Sequence, residues 1–293
     1  MKKILVIGSI SIDNVTYTNV LPQPGMTVYG ESFLSNIGGK GANQACAIHF
    51  LDGDVEFYGS IGNDANGERV QKYLKEVGLT ANLKISKYST GVATIIIDNQ
   101  TAENRIVIVP GSNMDLNKED IDKIDFSKFD ILLLQLENSI DSICYAIKKA
   151  KENGLTVVLN PAPFHEIPKD IYGDIDYFIP NEHELEQFTP DAFGSYEERA
   201  KQLIKYGIKR IIVTLGEKGS LYVDEEQTFT VSPYKVNAID TTGAGDSYCG
   251  AFVTALAEGK SLKDAMDFAS KVSSLTVTKK GAIASLPKRS DIK

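Results

Sequence analysis

Three runs in the middle of the chain constrain its architecture more than anything else in it. Ile131 to Gln135 is an apolar run of strand length, Ile140 to Asn153 carries Ile140, Ile143, Ile147 and Ala150 at helical spacing, and Thr156 to Asn160 is strand-like again. Strand, helix and strand in that order make a crossover unit whose two strands lie parallel. The pattern begins at Ile4 to Ile7 and repeats around Tyr177 to Ile179 and Ile211 to Thr214. Strands without polar alternation are covered on both faces, so the expected fold is α/β, a mostly parallel central sheet between two layers of helices. Ligands of such sheets bind at the carboxyl ends of the strands, where QLEN, LNPAP, PNEHE and VTLGEKG fall.

The stretch Ile239 to Phe252, IDTTGAGDSYCGAF, carries the clearest chemistry. Gly243, Ala244 and Gly245 precede Asp246, and the residues after it recur at helical spacing. Small residues opening a helix let backbone N–H groups converge on one point, where the helix terminus adds partial positive charge: a cradle for phosphate. A carboxylate there repels phosphate, so Asp246 makes sense if it handles a proton at the atom receiving a phosphoryl group. The competing reading is an Asp helix cap behind a glycine turn. Neither better-known glycine loop is present. No G-x-x-x-x-G-K-[ST] occurs, and the first strand runs into GSISID, with one glycine where a dinucleotide fingerprint requires three.

Composition closes off other classes. The 293 residues, 42% hydrophobic, suffice for one large domain, and a net charge of −8 argues against nucleic-acid binding. MKKILVIGSI has two lysines before an apolar run, but the run is too short for a signal peptide and is read as the first strand. No apolar stretch reaches bilayer length, so no membrane partner is expected. Cys46, Cys144 and Cys249, odd in number and without metal spacing, suit a reducing cytoplasm. His49, His165 and His183 are too scattered for a metal site or a hydrolase triad.

GGKGANQA at Gly38 to Ala45 and DTTGAGD at Asp240 to Asp246, about two hundred residues apart, resemble the paired motifs of the PfkB, or ribokinase-like, carbohydrate kinases. The similarity runs nearly end to end, through GSISID at Gly8, LPQPGMTV at Leu21, STGVATIII at Ser89, QLEN at Gln135, LNPAP at Leu159, PNEHELE at Pro180, VTLGEKG at Val213 and VTKKGAIASLP at Val277. The resemblance implies a single three-layer domain with a small inserted β lid over the sugar. Segments 15–36 and 88–109 are the lid candidates, since they are strand-like without intervening helices, and Ile95 to Ile97 and Ile106 to Val109 flank a polar turn, Asp98 to Asn104. It also implies MgATP and a small sugar as ligands, a monovalent cation such as K⁺ as activator, and a homodimer formed through the lid.

Site roles follow from the same resemblance. Asp246 matches the base that takes the proton from the sugar hydroxyl, with Gly243, Ala244 and Gly245 as backbone donors to the transferring group. Gly39, Lys40 and Asn43 match sugar contacts, as do Asp13, placed on the loop after the first strand, and Glu137; the bland alternatives are a glycine-rich turn entering a helix over 42–51 and a solvated loop carboxylate. Asn181 and Glu184, spaced to share one face of a helical turn, match the Mg²⁺ and phosphate environment. Thr214, Gly216 and Gly219 match a nucleotide-lining loop, which also reads as a plain strand-to-hairpin turn, and Ser270 an adenine-side position. Asp240, Thr242, Thr276, Lys279, Gly281 and Ser285 match a ring around the monovalent cation. The expected reaction is transfer of the ATP γ-phosphate to O5 of D-ribose. Ser11 stands where members acting on ribose carry Asn, so another pentose, a ketose or a nucleoside is the alternative acceptor. A catalytically silent sugar-binding protein is disfavoured because Asp246 and its cradle are intact.

Overall fold

The computed structural model describes residues 1–101 and 103–292. Its strands are β1 Ile4–Ile7, β2 Ser11–Thr18, β3 Ser32–Gly38, β4 Val55–Gly62, β5 Thr80–Ser86, β6 Gly91–Asp98 and β7 Asn104–Val109, then β8 Ile131–Leu134, β9 Thr156–Leu159, β10 Tyr177–Phe178, β11 Ile211–Thr214, β12 Ser220–Val223 and β13 Thr228–Val231. The helices are α1 Lys40–Phe50, α2 Ala65–Val77, α3 Lys118–Ile121, α4 Ile140–Glu152, α5 Glu182–Phe188, α6 Tyr196–Lys205, α7 Ala244–Ala257 and α8 Leu262–Thr276. The main sheet runs β13-β12-β11-β10-β9-β8-β1-β4-β5 and is parallel except where β12 pairs with β11 and β13.

Burial on both faces is written into each central strand. All four residues of β1 are buried; Ile4 and Val6 join the core under α1, α2, α7 and α8, while Leu5 and Ile7 join the core under α4, α5 and α6. Strand β8 divides in the same way, Ile131 and Leu133 against Leu132 and Leu134. The chain leaves β1 toward β4 on one side and later places β8 on the other, so the carboxyl end of β1 is a switch point where a ligand crevice opens.

The two segments expected to form a lid make a separate four-stranded sheet of order β3-β2-β6-β7. Strand β2 pairs antiparallel with β3 and parallel with β6, so the two inserted segments form one sheet. The hairpin is longer than its apolar cores suggest, because β6 and β7 pair from Val92↔Val109 to Ile97↔Asn104; residue 102 of the predicted turn lies outside the described residues. Strand β2 begins at Ser11, which corrects the loop expected there: Ser11 and Asp13 stand on a lid strand. At its base, Asn113 accepts from Ile10 N at 2.9 Å and donates to Ile10 O at 2.7 Å, supplying the pairing the backbone lacks between β1 and β2. No described helix is long and apolar enough to cross a membrane.

Helix α1 begins at Lys40, a little earlier than its periodicity implied, and packs directly on α7. They lie close together at Gly250, where an added Cβ would lie 2.7 Å from Ala47 Cβ and 3.0 Å from Gln44 O. One turn earlier on α7 stands Asp246. Two effects oppose each other in Gly250→Ala: helix propensity favours Ala by about 1 kcal/mol, and forcing a methyl into a packed contact costs about 1–3 kcal/mol. Packing should win, and thermal unfolding followed by circular dichroism should show a lowered Tm. A variant as stable as the parent would mean that α7 does not bear on α1 at this point.

Candidate active site

The first turn of α7 is an open cluster of backbone donors. Gly243, its N-cap, adopts φ 76°, a left-handed conformation suited to glycine, and no side chain caps the helix. Ala244 N donates to Thr241 O at 3.2 Å, whereas Gly245 N and Asp246 N have no acceptor among the described residues. A Cβ on Gly245 would meet nothing within 4 Å, so open space adjoins this turn. The turn is braced from behind, because Ser247 and Ser273 hydroxyls both donate to Ala244 O at 2.9 Å. Unclaimed first-turn amides with the helix dipole behind them fit an anion.

Asp246 lies on the floor beside this turn and is only 7% exposed. Its Oδ2 accepts from Asn43 Nδ2 at 2.8 Å and its Oδ1 from Gln44 Nε2 at 3.0 Å. Among the described residues the remaining amide oxygen of Asn43 has no donor, and it is itself buried, so the floor presents to a ligand the Asp246 carboxylate and not this oxygen.

The other sugar-side residues converge on the same place. Ser11 Oγ donates to Asp13 Oδ1 at 2.8 Å, so the serine hydroxyl orients the carboxylate beside it. The Asp13 carboxylate occupies space that a side chain at residue 38 would fill; a Cβ on Gly38 would come within 2.1 Å of Asp13 Oδ2. Glu137 Oε2 accepts from Ser9 Oγ at 2.5 Å and from Lys40 N at 3.0 Å, and Ser9 Oγ accepts from Gly41 N at 3.2 Å. Burial pushes the Asp13 carboxyl up, the Ser11 hydrogen bond opposes this, and the charges of Glu137 and Asp246 push it further. Burial would lower Lys40, but Asp246, Glu137 and Glu184 outweigh it and hold the ammonium above its usual range. Lys40 thus remains protonated as the cation among these carboxylates.

On the nucleotide side the structure alters the expected geometry. Asn181 is the N-cap of α5 and Glu184 its third residue, and they cap each other: Asn181 Oδ1 accepts from Glu184 N and Glu184 Oε2 from Asn181 N, both at 2.8 Å. They are joined through the backbone instead of projecting together from one helix face. Glu184 Oε1 has no donor among the described residues, and burial, with Asp246 adding to it, keeps the carboxyl above its usual range despite Asn181 N and Lys40. A buried carboxylate with an oxygen to spare fits a hydrated divalent cation. Thr214 bridges to Asn181 across the sheet end. Gly216 has open space around it, whereas a Cβ on Gly219 would strike Val231 O at 2.1 Å, so the hairpin packing itself demands glycine there. Ser270 is buried on α8; the Tyr248 hydroxyl lies between it and Ser220, the residue after Gly219, donating to Ser220 Oγ at 3.0 Å.

The six cation-ring residues are partly knitted together. Asp240 Oδ1 accepts from Thr242 N and Oγ1 at 2.9 and 2.6 Å, and Oδ2 accepts from Gly281 N at 2.9 Å; these donors hold its carboxyl below the usual range against the opposing effect of burial. Lys279 N closes a turn onto Thr276 O at 3.2 Å. The hydroxyls of Thr276 and Ser285 donate to their own backbone, Val272 O at 3.1 Å and Ala282 O at 2.8 Å. The hydroxyls that donate here keep their lone pairs, so side-chain oxygens as well as backbone carbonyls of these segments are of the type that suits a monovalent cation.

Ser9, Gln44, Gln135 and Asn160 were not singled out from the sequence, yet each touches this floor. Their signal was polarity at the carboxyl ends of apolar strands, as in QLEN and LNPAP, and in the buried first turns of a helix.

Comparison with known proteins agrees with this geometry. The pfkB family carbohydrate kinase model matches residues 1–289. A ribokinase of Schizosaccharomyces pombe is 36% identical over 98% of this chain and 95% of its own length. A deoxyribokinase of Salmonella typhi is 37% identical over 97% and 95%. The structure of Arabidopsis thaliana ribokinase complexed with ribose and ATP superposes with a TM-score of 0.91 at 31% identity, covering 99% of this chain and 97% of that one. The chain belongs to the pfkB family of carbohydrate kinases.

Proposed function

We propose that this kinase transfers the γ-phosphate of MgATP to O5 of D-ribose, giving D-ribose 5-phosphate. The observation that carries the reading is a buried carboxylate, Asp246, at the edge of an uncapped helix terminus with two unclaimed amides. In this reading Asp13, Lys40, Asn43 and Glu137 hold the sugar hydroxyls. Asp246 accepts the proton of O5 as that oxygen attacks the γ-phosphorus, the bond from that phosphorus to the bridging oxygen breaks with ADP leaving, and Gly245 and Asp246 N–H groups receive the charge on the transferring group. Mg²⁺, held through water near Glu184 and Asn181, would neutralise phosphate charge, and a monovalent cation at the Asp240–Gly281 loop would support the cradle. The loop from Thr214 to Gly219 and the helix bearing Ser270 line the nucleotide side, and the cytoplasm supplies ATP.

Asp246→Asn should lower kcat by roughly 10²–10⁴ while leaving sugar and nucleotide affinities nearly intact, because the change removes only the proton acceptor. A correctly folded variant retaining most of the parent kcat would dismiss Asp246 as the base. Run on the parent enzyme in potassium and in potassium-free buffer, the same assay should show activation by potassium; equal rates would remove the cation.

A second acceptor class is favoured by a specific observation. The Ser11 hydroxyl is spent on Asp13, and relatives of equal similarity include both a ribokinase and a deoxyribokinase. The decisive measurement is kcat/KM for ribose, deoxyribose, fructose, adenosine and pseudouridine, in the parent and in Ser11→Asn. A ribose enzyme should prefer ribose and keep that preference in Ser11→Asn. Should the parent prefer another acceptor and Ser11→Asn swing toward ribose by about tenfold to two-hundredfold, the ribose assignment fails while the kinase stands.

We also propose a homodimer through the lid. Strand β7 is exposed along its length, with Ile106, Val107, Ile108 and Val109 each more than half exposed, and it forms an unpaired sheet edge. Such an edge is stabilised by a second chain. Light scattering at assay concentration should give twice the monomer mass; a fully active monomer would contradict it.

A further inference from the structure

We infer that Gln44 is a positioning residue for Asp246, and that its amide is oriented by a buried relay that starts at the backbone carbonyl of Ile179. The inference rests on Asp246 being the base, as proposed above.

A carboxamide can be turned either way, and only one way presents N–H to Asp246. The relay decides which. Ile179 O can only accept, and Asn160 Nδ2 donates to it at 2.8 Å. That leaves Asn160 Oδ1 facing Gln44, which meets it with Nε2 at 3.0 Å. The second hydrogen of the same nitrogen goes to Asp246 Oδ1 at 3.0 Å. From the far side, Gln135 Nε2 donates to Gln44 Oε1 at 2.6 Å, which matches this orientation. A fixed main-chain carbonyl thereby dictates, through two amides, that Asp246 Oδ1 is met by a donor. With Asn43 on the other oxygen, the carboxylate is gripped at both ends by neighbouring residues of α1.

The relay is a poor choice for stability alone, which is the second reason to give it a role. Gln44 and Gln135 are 0% and 1% exposed, and Gln135 Oε1 is buried without a partner. Room for that oxygen exists only because residue 8 is glycine; a Cβ there would come within 2.2 Å of it. A buried acceptor left without a donor costs folding free energy, and the relay carries that cost. The relay also starts two residues before Asn181, so the base and the loop proposed to face Mg²⁺ share one frame of reference.

The test uses the whole enzyme with MgATP and D-ribose, or with the panel sugar of highest kcat/KM. Gln44→Met keeps length and packing and removes the amide. Its kcat should fall about tenfold to a hundredfold, the range expected when a reacting group is misplaced by a fraction of an ångström to an ångström. Sugar and nucleotide dissociation constants from calorimetry should stay within about threefold. Gln135→Leu, which touches no reacting group, should lower kcat severalfold, and the double variant should be no worse than Gln44→Met alone, since both act through one contact. A Gln44→Met enzyme with kcat within about twofold of the parent overturns the inference, however far its Tm falls, as does lost sugar affinity with kcat unchanged. If Gln44→Met does not fold, Gln135→Leu decides: an unchanged kcat is fatal. The two layers separate, because an active Asp246→Asn sinks the base, whereas an inactive Asp246→Asn beside a normal Gln44→Met sinks only the relay.

Discussion

The contact between α1 and α7 is the constraint on which the site depends. The two helices come from opposite ends of the chain, and each brings half of a functional pair: Asn43 and Gln44 on one, Asp246 on the other. They meet closely because Gly250 offers no side chain where α7 crosses Gln44 O and Ala47. Helices separated by ordinary side chains lie about 8–10 Å apart, and a carboxylate reached across such a gap would need longer partners. Close packing here is the means by which short amides grip a short acid.

Electrostatics of the crevice follow from crowding. Asp246, Glu137 and Glu184 act on Lys40, and Glu137 and Asp246 act on Asp13. Burial of Asp13 and Glu184 raises their carboxyl groups, which opposes ionisation and costs folding free energy at neutral pH. Ligands that bring hydroxyl donors or metal charge relieve that cost, so the empty protein is less stable than its contacts suggest and bound ligand should compensate. Such a site trades stability for reactivity.

The layers of the fold were legible because continuous apolar runs such as ILVI and ILLL leave no face for water, and the cradle was legible because small residues before an acid have few other uses. Pairings distant in sequence were not. Strand β2 finds β6 some eighty residues later, and nothing in the local pattern of GSISID shows that its second half leaves the main sheet. The expectation of a loop at Asp13 fails for that reason. Asn181 and Glu184 have the spacing of a reciprocal cap, but an i, i+3 spacing alone does not distinguish a cap from a shared face; the extended backbone at Asn181 does. The amide relay was invisible for a deeper reason. Gln44, Gln135 and Asn160 come from three separate segments, and each is an unremarkable polar residue until the sheet brings them together.

The glycines of the GGKG stretch separate two kinds of information in this sequence. Gly39 adopts φ 91°, and a Cβ on it would strike Ile10 Cα at 2.8 Å; a Cβ on Gly41 would lie 2.5 Å from the Gly8 carbonyl carbon. Both are required by the way α1 seats against the end of β1, whatever chemistry takes place above. Their presence in the sequence therefore reports how the helix is seated, whereas a role for Asp246 and Gln44 has to be read from the reaction itself.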